Sequence, residues 1–497
     1  MASLDEVRSV RKAKKELLAL QGVASYPSTS ERTHEIVDVI AAADGLEAAA
    51  TEIIIAGRIM SLRPQGALIF GHLFDGSGTF QFLYKKDDAT ADRFDLFERT
   101  TDIADFIEVT GTVFTTKRGE KTVSVRDWRM LTKSLAPLPD KWHGLQDQDE
   151  IYRKRYLDIL LNPDVRGMIE RKSKFWASIR GQLATAGFIE VETPTLELTT
   201  GGAEARPFKT HHNDYDLEVF LRISVGELWQ KRLLAGGLPR TFEIGRAFRN
   251  EGTSPEHAQE FTNMEFYAAY WDYKKGMEFT ERLIKEAAQA TFGKLAFESR
   301  GFSFDLSGKW PVIDYVGAVK EKTGVDVLKA SEEEMRKALD SLGVKYEGIN
   351  RERLTDTLWK YCRKQIAGPA WLINHPKLVS PLSKASKENP ELTERCQLLL
   401  AGSETVNGFS ELNDPVDQQE RFDAQQQLID RGDEEAMMPD VEFVEMLEHG
   451  MPPAFGMGFG DRLFAILEGR PLRDTHIFPL MRPKHEHKNE EKEESDK

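Results

Sequence analysis

Two strand-like runs constrain this chain more than anything else in it: FEIGRAFRNEG, Phe242 to Gly252, and EFTNMEFYAAY, Glu260 to Tyr270. The turn-forming Gly252-Thr253-Ser254-Pro255 between them predicts an antiparallel hairpin. On an extended strand residues two apart share a face, which sets Arg249 with Glu251 and Glu265 with Tyr267. Such a surface suits a nucleotide, with arginine on phosphate, a ring on the base and a carboxylate near a cation. A lone Arg-Asn-Glu reads better as a salt-bridged strand edge; the aromatic company weighs against that.

At 497 residues the chain has length for two or more domains, each with its own core. Lys+Arg number 67 against Asp+Glu 82, a net charge of -15. Contact with RNA therefore needs a local basic patch. Arg8, Arg11, Lys12, Lys14 and Lys15 offer one, with a solvated helix face as the equal alternative. Cys362 and Cys396 fall outside any C-x-x-C spacing, so neither a zinc site nor a disulfide scaffold is suggested. No run of eighteen apolar residues appears, and the expectation is a cytoplasmic protein with no membrane or DNA partner. HIGH, KMSKS and Walker-type Gly-Lys-Ser/Thr strings are all missing, which sets aside Rossmann-type synthetases and P-loop enzymes.

Along the chain, residues 3–21 have helical periodicity ending at Gly22. From Glu52 the period changes to short β-rich runs, 53–57, 67–74, 79–84, 106–114 and 121–126, with a helical stretch at 90–99. Five such strands fit an OB-fold barrel. Its Phe70, Phe80 and Phe82 are either platforms for unpaired bases or barrel core, core being the better reading for at least one. A Pro-containing linker from Leu135 to His143 precedes a long amphipathic helix, Val165 to Ala186. The last thirteen residues lack apolar content, which predicts a disordered acidic tail whose His485 and His487 are solvated rather than metal-bound.

FRNEG followed by EFTNMEFY resembles motif 2 of the class II aminoacyl-tRNA synthetases, in the form used by the lysyl-tRNA synthetase family. GFIEVETPTL, Gly187 to Leu196, resembles the end of motif 1, NGFSELND, Asn407 to Asp414, the lysyl substrate strand, and GMGFGDRL, from Gly456, motif 3. The likeness runs from the first helix to Pro483. It implies an α+β fold: an N-terminal OB-fold barrel, then a class II catalytic domain with a mostly antiparallel sheet flanked by helices. The expected divisions are a helical extension 1–50, an anticodon-binding barrel 51–137, a linker 138–164, a catalytic domain 165–483 and the tail 484–497. A helix-rich insertion at 315–365 carries no chemistry that the sequence identifies.

The resemblance also implies roles. Arg249 would bridge an amino-acid carboxylate and the α-phosphate of ATP, and Arg462 would hold the γ-phosphate; these two are the expected catalytic residues. Phe261 would stack on adenine, with Glu251 and His257 nearby, while Gly456, Gly458 and Gly460 admit a close backbone approach, a tightly packed helix start being their alternative. Glu227, Glu265 and Glu411, with Tyr267, Asn407, Phe409 and Gly202, would receive lysine. A buried ammonium demands paired acids, so the acid count favours lysine over aspartate or asparagine. Phe70, Gln81 and Glu120 fall where anticodon uridines are read. Mg2+ is implied with ATP, at Glu404 and, where relatives have an acid, Gln397. Other departures are Glu256 in place of a common arginine, Ala258 in place of asparagine, one extra residue in SVGEL and one fewer in the motif 3 glycine run. The expectation is a homodimeric lysine-tRNA ligase acting on tRNA, ATP and lysine, its motif 1 helix meeting the partner copy. An RNA-binding paralogue without catalysis is the reading from another class.

Overall fold

The structure, a computed structural model, describes residues 3–88, 91–139, 147–203, 205–252, 254, 256–346, 350–433 and 436–483. Residues 140–146 of the expected linker, the tail histidines and Thr253 and Pro255 of the hairpin turn fall outside them. The chain divides into two compact units, residues 1–146 and 147–497.

In the first unit, five strands close a barrel in the order Glu52–Gln65, Leu68–Phe74, Thr79–Lys85, Lys121–Thr132 and Phe106–Thr115. Phe80 and Phe82 are buried, so they belong to its core; Phe70 stays half-buried on the outer face. The helix Leu4–Leu20 begins at a capping box in which Ser3 and Glu6 satisfy each other's backbone N–H. A second helix, Ile36–Ala48, is not marked by sequence periodicity; Asp75 accepts from the Ile36 N–H at 2.9 Å and so fixes its start. Two of the five N-terminal cations are structural, which shrinks the expected RNA patch. Arg11 is buried, donating to the Ser134, Ala136 and Ile103 carbonyls, and Lys14 donates to Asp102 at 2.7 Å.

The second unit is built on an eight-stranded sheet ordered Val312–Asp314, Ala370–Pro376, Leu392–Leu400, Ser403–Ser410, Ala454–Gly460, Glu260–Ala269, Arg240–Phe248 and Ile189–Glu190. Only the outermost pair at each end is parallel. The helices Pro163–Thr185 and Tyr273–Phe292 cover one face. Met168, Phe175, Trp176, Ile179 and Leu183 of the first are buried there, with Trp176 stacked on Phe459 at 6.2 Å, so much of that helix's apolar stripe meets its own sheet. The hairpin forms, but its first strand ends at Phe248; Arg249 and Glu251 lie beyond it rather than on a shared strand face. The helices Tyr315–Thr323, Glu332–Ser341 and Arg351–Arg363 share a small core with Leu372 and Leu399 of the sheet.

Below the barrel's surface, Lys133 donates to the Thr100 carbonyl at 2.7 Å and to Asp105 at 2.7 Å, and also pairs with Asp102. Both Lys133 and Asp105 are buried, so removing the ammonium leaves carboxylate charge without its counter-ion. Lys133→Met is expected to destabilise the barrel by about 3–5 kcal/mol, read as a lowered urea midpoint.

Candidate active site

Strand alternation decides what faces the site. Met264 and Phe266 enter the core beneath the helices, so Glu265 and Tyr267 point to the opposite face. In the same way Cys396 and Leu398 oppose Gln397, Val406 opposes Asn407, and Phe455, Met457 and Phe459 oppose Gly456, Gly458 and Gly460. The glycine strand runs between the strands bearing Glu265 and Asn407. A Cβ on Gly456 would stand 2.1 Å from Glu411 Oε1 and 2.4 Å from the Tyr267 ring, and one on Gly460 2.9 Å from the Thr262 carbonyl. These glycines therefore make room first for neighbouring side chains, a constraint that spacing does not disclose.

Above this floor lies a cavity of about 490 Å3. It brings together Gly202, Glu227, Arg249, Glu251, His257, Phe261, Glu265, Tyr267, Gln397, Glu404, Asn407, Phe409, Gly458, Gly460 and Arg462. Glu411 is absent from its lining and lies buried behind it.

One end is acidic. Glu227 opens the helix Glu227–Ala235, whose N-cap, Gly226, has φ +71, a left-handed geometry that glycine adopts without strain. Glu265 accepts from the Val225 N–H at 2.8 Å, Asn263 at 2.9 Å and the Tyr267 hydroxyl at 2.9 Å. Lys231, not anticipated from sequence, is buried one turn after Glu227, 2.9 Å from its carboxylate and 2.6 Å from that of Glu411. Two of the three acids, Glu227 and Glu411, thus share a single internal ammonium. Burial, reinforced by the Glu227 charge, pushes Glu265 up to about 7. Burial also pushes Glu411 up to about 8 against the pull of Lys231. Asn407 is held by a 2.8 Å bond from Arg395.

The other end is cationic. The Arg249 guanidinium lies 5.2 Å from the Phe261 ring centroid and donates to the Ile223 carbonyl at 3.3 Å. Arg462 donates to the main-chain oxygens of Glu256 at 3.3 Å and Glu404 at 3.1 Å. Burial and the nearby Arg462 charge lower His257 to about 4, so it stays neutral at physiological pH. Arg462 follows directly on Asp461, and no residue separates the strand ending at Gly460 from the helix beginning at Asp461. Buried Asp461 accepts from the Thr262 N–H at 3.0 Å and Trp176 at 3.3 Å and pairs with Lys172 at 3.0 Å. It joins the segments resembling motifs 1, 2 and 3, and only long-range packing reveals this. The insertion also takes part, contrary to its reading as chemically silent: Trp359, Lys360 and Arg363 line the cavity.

The donor set permits a test of magnesium. Glu404 lines the cavity, accepting from Trp359 Nε1 at 2.5 Å, whereas Gln397 Oε1 is engaged 3.0 Å from His375 Nε2. No group of three or more His, Cys, Asp or Glu that could hold a metal occurs among the described residues. Magnesium entering with a nucleotide needs as few as one protein carboxylate, so Glu404 fits and neutral Gln397 adds no charge.

On the barrel, Gln81 donates to Glu120 at 2.7 Å and accepts from Thr122 at 2.8 Å, while His72 stands 3.3 Å from Glu120. His72 shares the Phe70 face of its strand, which brings Phe70, Gln81 and Glu120 into one neighbourhood.

Replacing Lys231 by methionine strands the acids behind the cavity, so Lys231→Met is expected to cost about 3–5 kcal/mol, seen as a depressed unfolding temperature that rises again at low pH.

Residues 147–482 match the family of "tRNA synthetases class II (D, K and N)", and residues 53–131 match the "OB-fold nucleic acid binding domain". The chain is 42% identical over 489 residues to a lysine–tRNA ligase of Thermotoga maritima, covering 97% of both chains. It is 42% identical to one of Moorella thermoacetica, covering 97% of this chain and 99% of the relative. Identity to that of Bacillus subtilis is 41%, covering 96% and 98%. A cavity with an acidic and a cationic end on one sheet, a matching barrel and relatives aligned over nearly their whole length have one explanation: the chain belongs to the class II tRNA synthetases of the D, K and N group.

Proposed function

We infer that the protein is a lysine–tRNA ligase, and one observation carries this: a cavity with phosphate-seeking arginines at one end closes at the other on three buried acids and a single internal ammonium. The surplus negative charge suits a substrate with two ammonium groups and repels the carboxylate of aspartate. The lysine carboxylate attacks the α-phosphorus of ATP, forming the lysyl-adenylate and expelling pyrophosphate. A ribose hydroxyl at the 3′ end of tRNA then attacks the carbonyl and releases AMP. Such displacements rest on positioning and charge neutralisation. Arg249 holds carboxylate and α-phosphate together, Arg462 the γ-phosphate and Phe261 the adenine. Glu227, Glu265 and Tyr267 take the amino groups, backed by Glu411, with Gly202, Asn407 and Phe409 completing the lysine slot. Glu404 would hold a magnesium ion entering with ATP, which would supply shielding of phosphate charge.

The barrel of residues 51–137 serves as the anticodon module, with Phe70 for stacking and Gln81 and Glu120 for the edge of a uridine. A homodimer is supported by the exposed apolar residues Ile189, Leu196 and Leu198 flanking the motif 1 segment. No described helix is long and apolar enough to cross a membrane, and the two buried free cysteines fit a reducing cytoplasm.

Pyrophosphate exchange into ATP with each amino acid is the deciding assay. Exchange with lysine alone is expected; silence with every amino acid from folded protein would favour the RNA-binding paralogue. Arg249→Ala should lower exchange by more than about 100-fold. Phe70→Ala should leave exchange intact and cut tRNA charging roughly 5- to 100-fold, the worth of one stacked base. Lysine affinity should fall with acidity. Glu265 and Glu411 must be ionised to hold ammonium, yet in the free protein they hold protons up to about 7 and about 8. Their raised values favour the free fold at low pH, an advantage lost as pH rises through that window. The thermal shift given by lysine should therefore be larger at about pH 8.5 than at about pH 6.

A further inference from the structure

The residue before His257 is an acid, Glu256, at an end of the cavity otherwise lined by Arg249, Arg363 and Arg462. The insertion helix Arg351–Arg363 brings its last residue to the cavity wall. Arg363 donates through Nη1 to the Gly402 carbonyl at 2.6 Å, and its Nε lies 3.8 Å from Glu404 Oε1. That Nε is buried and has no hydrogen-bond partner among the described residues. A buried guanidinium N–H without an acceptor costs free energy and marks a place for an anion. Arg462 reaches the main-chain oxygen of the same Glu404, so the two arginines converge on one residue from opposite elements.

Glu256 itself is committed elsewhere. It pairs with Arg300 at 2.5 Å and accepts from Ser403 at 2.7 Å. Arg300 occupies the tight turn between the strands Ala296–Ser299 and Phe302–Asp305 with φ +54, a conformation that glycine or asparagine adopts far more readily. The turn therefore spends backbone strain to aim a guanidinium at Glu256. The Glu256 charge is neutralised there, which leaves Arg363 lining the phosphate end beside Arg249 and Arg462, with its Nε donor unused.

We propose that Arg363, from the helical insertion, is a phosphate ligand for the outer phosphates of ATP and for pyrophosphate. This rests on the reading of the cavity as an ATP site. It makes the insertion part of nucleotide recognition: Arg363 and Arg462 clamp the leaving group from two sides, and Lys360, paired with Asp356 at 2.7 Å, contributes less.

The test is calorimetric binding of Mg·ATP, and separately of lysine, to the full chain and to Arg363→Gln. The expected result is ATP binding weakened about tenfold or more with lysine binding changed less than about twofold, as for one lost charge-assisted contact. In exchange assays the same variant should raise the KM for ATP and for pyrophosphate. Arg363→Lys keeps a cation without the fork and should bind ATP between the other two. ATP affinity unchanged in Arg363→Gln, or equal losses in the glutamine and lysine variants, would overturn the proposal, as would an effect confined to the KM for tRNA. Wild-type protein that binds Mg·ATP but exchanges no pyrophosphate would defeat the ligase reading, and the binding comparison would still decide the role of Arg363.

Discussion

The strand Ala454–Gly460 lies in the middle of the sheet, and at Gly456, Gly458 and Gly460 its site-facing side carries nothing larger than hydrogen. Its other side is fully committed: Phe455, Met457 and Phe459 enter the core beneath the two long helices. A sheet can bear a charged cavity only if one face is dry and the other emptied, and period-two alternation achieves both along a single strand. The acids of the neighbouring strands lean into the space the glycines leave, so catalytic geometry and core packing depend on the same seven residues.

Charge in the cavity follows from that arrangement. Burial raises the proton affinity of Glu265 and Glu411, and Lys231 offsets only part of the carboxylate charge gathered around it. At the opposite end the guanidinium groups of Arg249 and Arg462 are held by main-chain carbonyls, which fix their direction while leaving their charge largely free for a ligand. Asp461 then ties the helix bearing Arg462 to two other elements, the strand at Thr262 and the helix of Lys172 and Trp176. Preorganisation of this kind is what displacement at phosphorus requires of a protein.

Much of this was legible beforehand. The hairpin, the five barrel strands and the amphipathic helix follow from periodicity and turn residues, because local pattern and tertiary burial agree there. The catalytic-domain residues named from the resemblance line one cavity, Gly456 and Glu411 excepted. Illegible were Lys231, Asp461, Arg363 and Arg300. Each looks like an ordinary surface charge in its own segment, and each gains meaning from a partner far away in sequence: a carboxylate or carbonyl for the three cations, and N–H groups and Lys172 for Asp461. The same holds for Arg11, whose place in a basic run suggested RNA and whose actual partners are carbonyls of residues 103, 134 and 136.

The sequence by itself determined the element types, the sheet-facing alternation and the family, since these rest on residue spacing and on the chemistry of short motifs. The tertiary structure decided which charges meet. Pairing between residues up to some three hundred positions apart, such as Lys172 with Asp461, depends on how strands order within the sheet and how helices cross it. Coulomb energy and desolvation act through distance in space, and no local pattern encodes that distance.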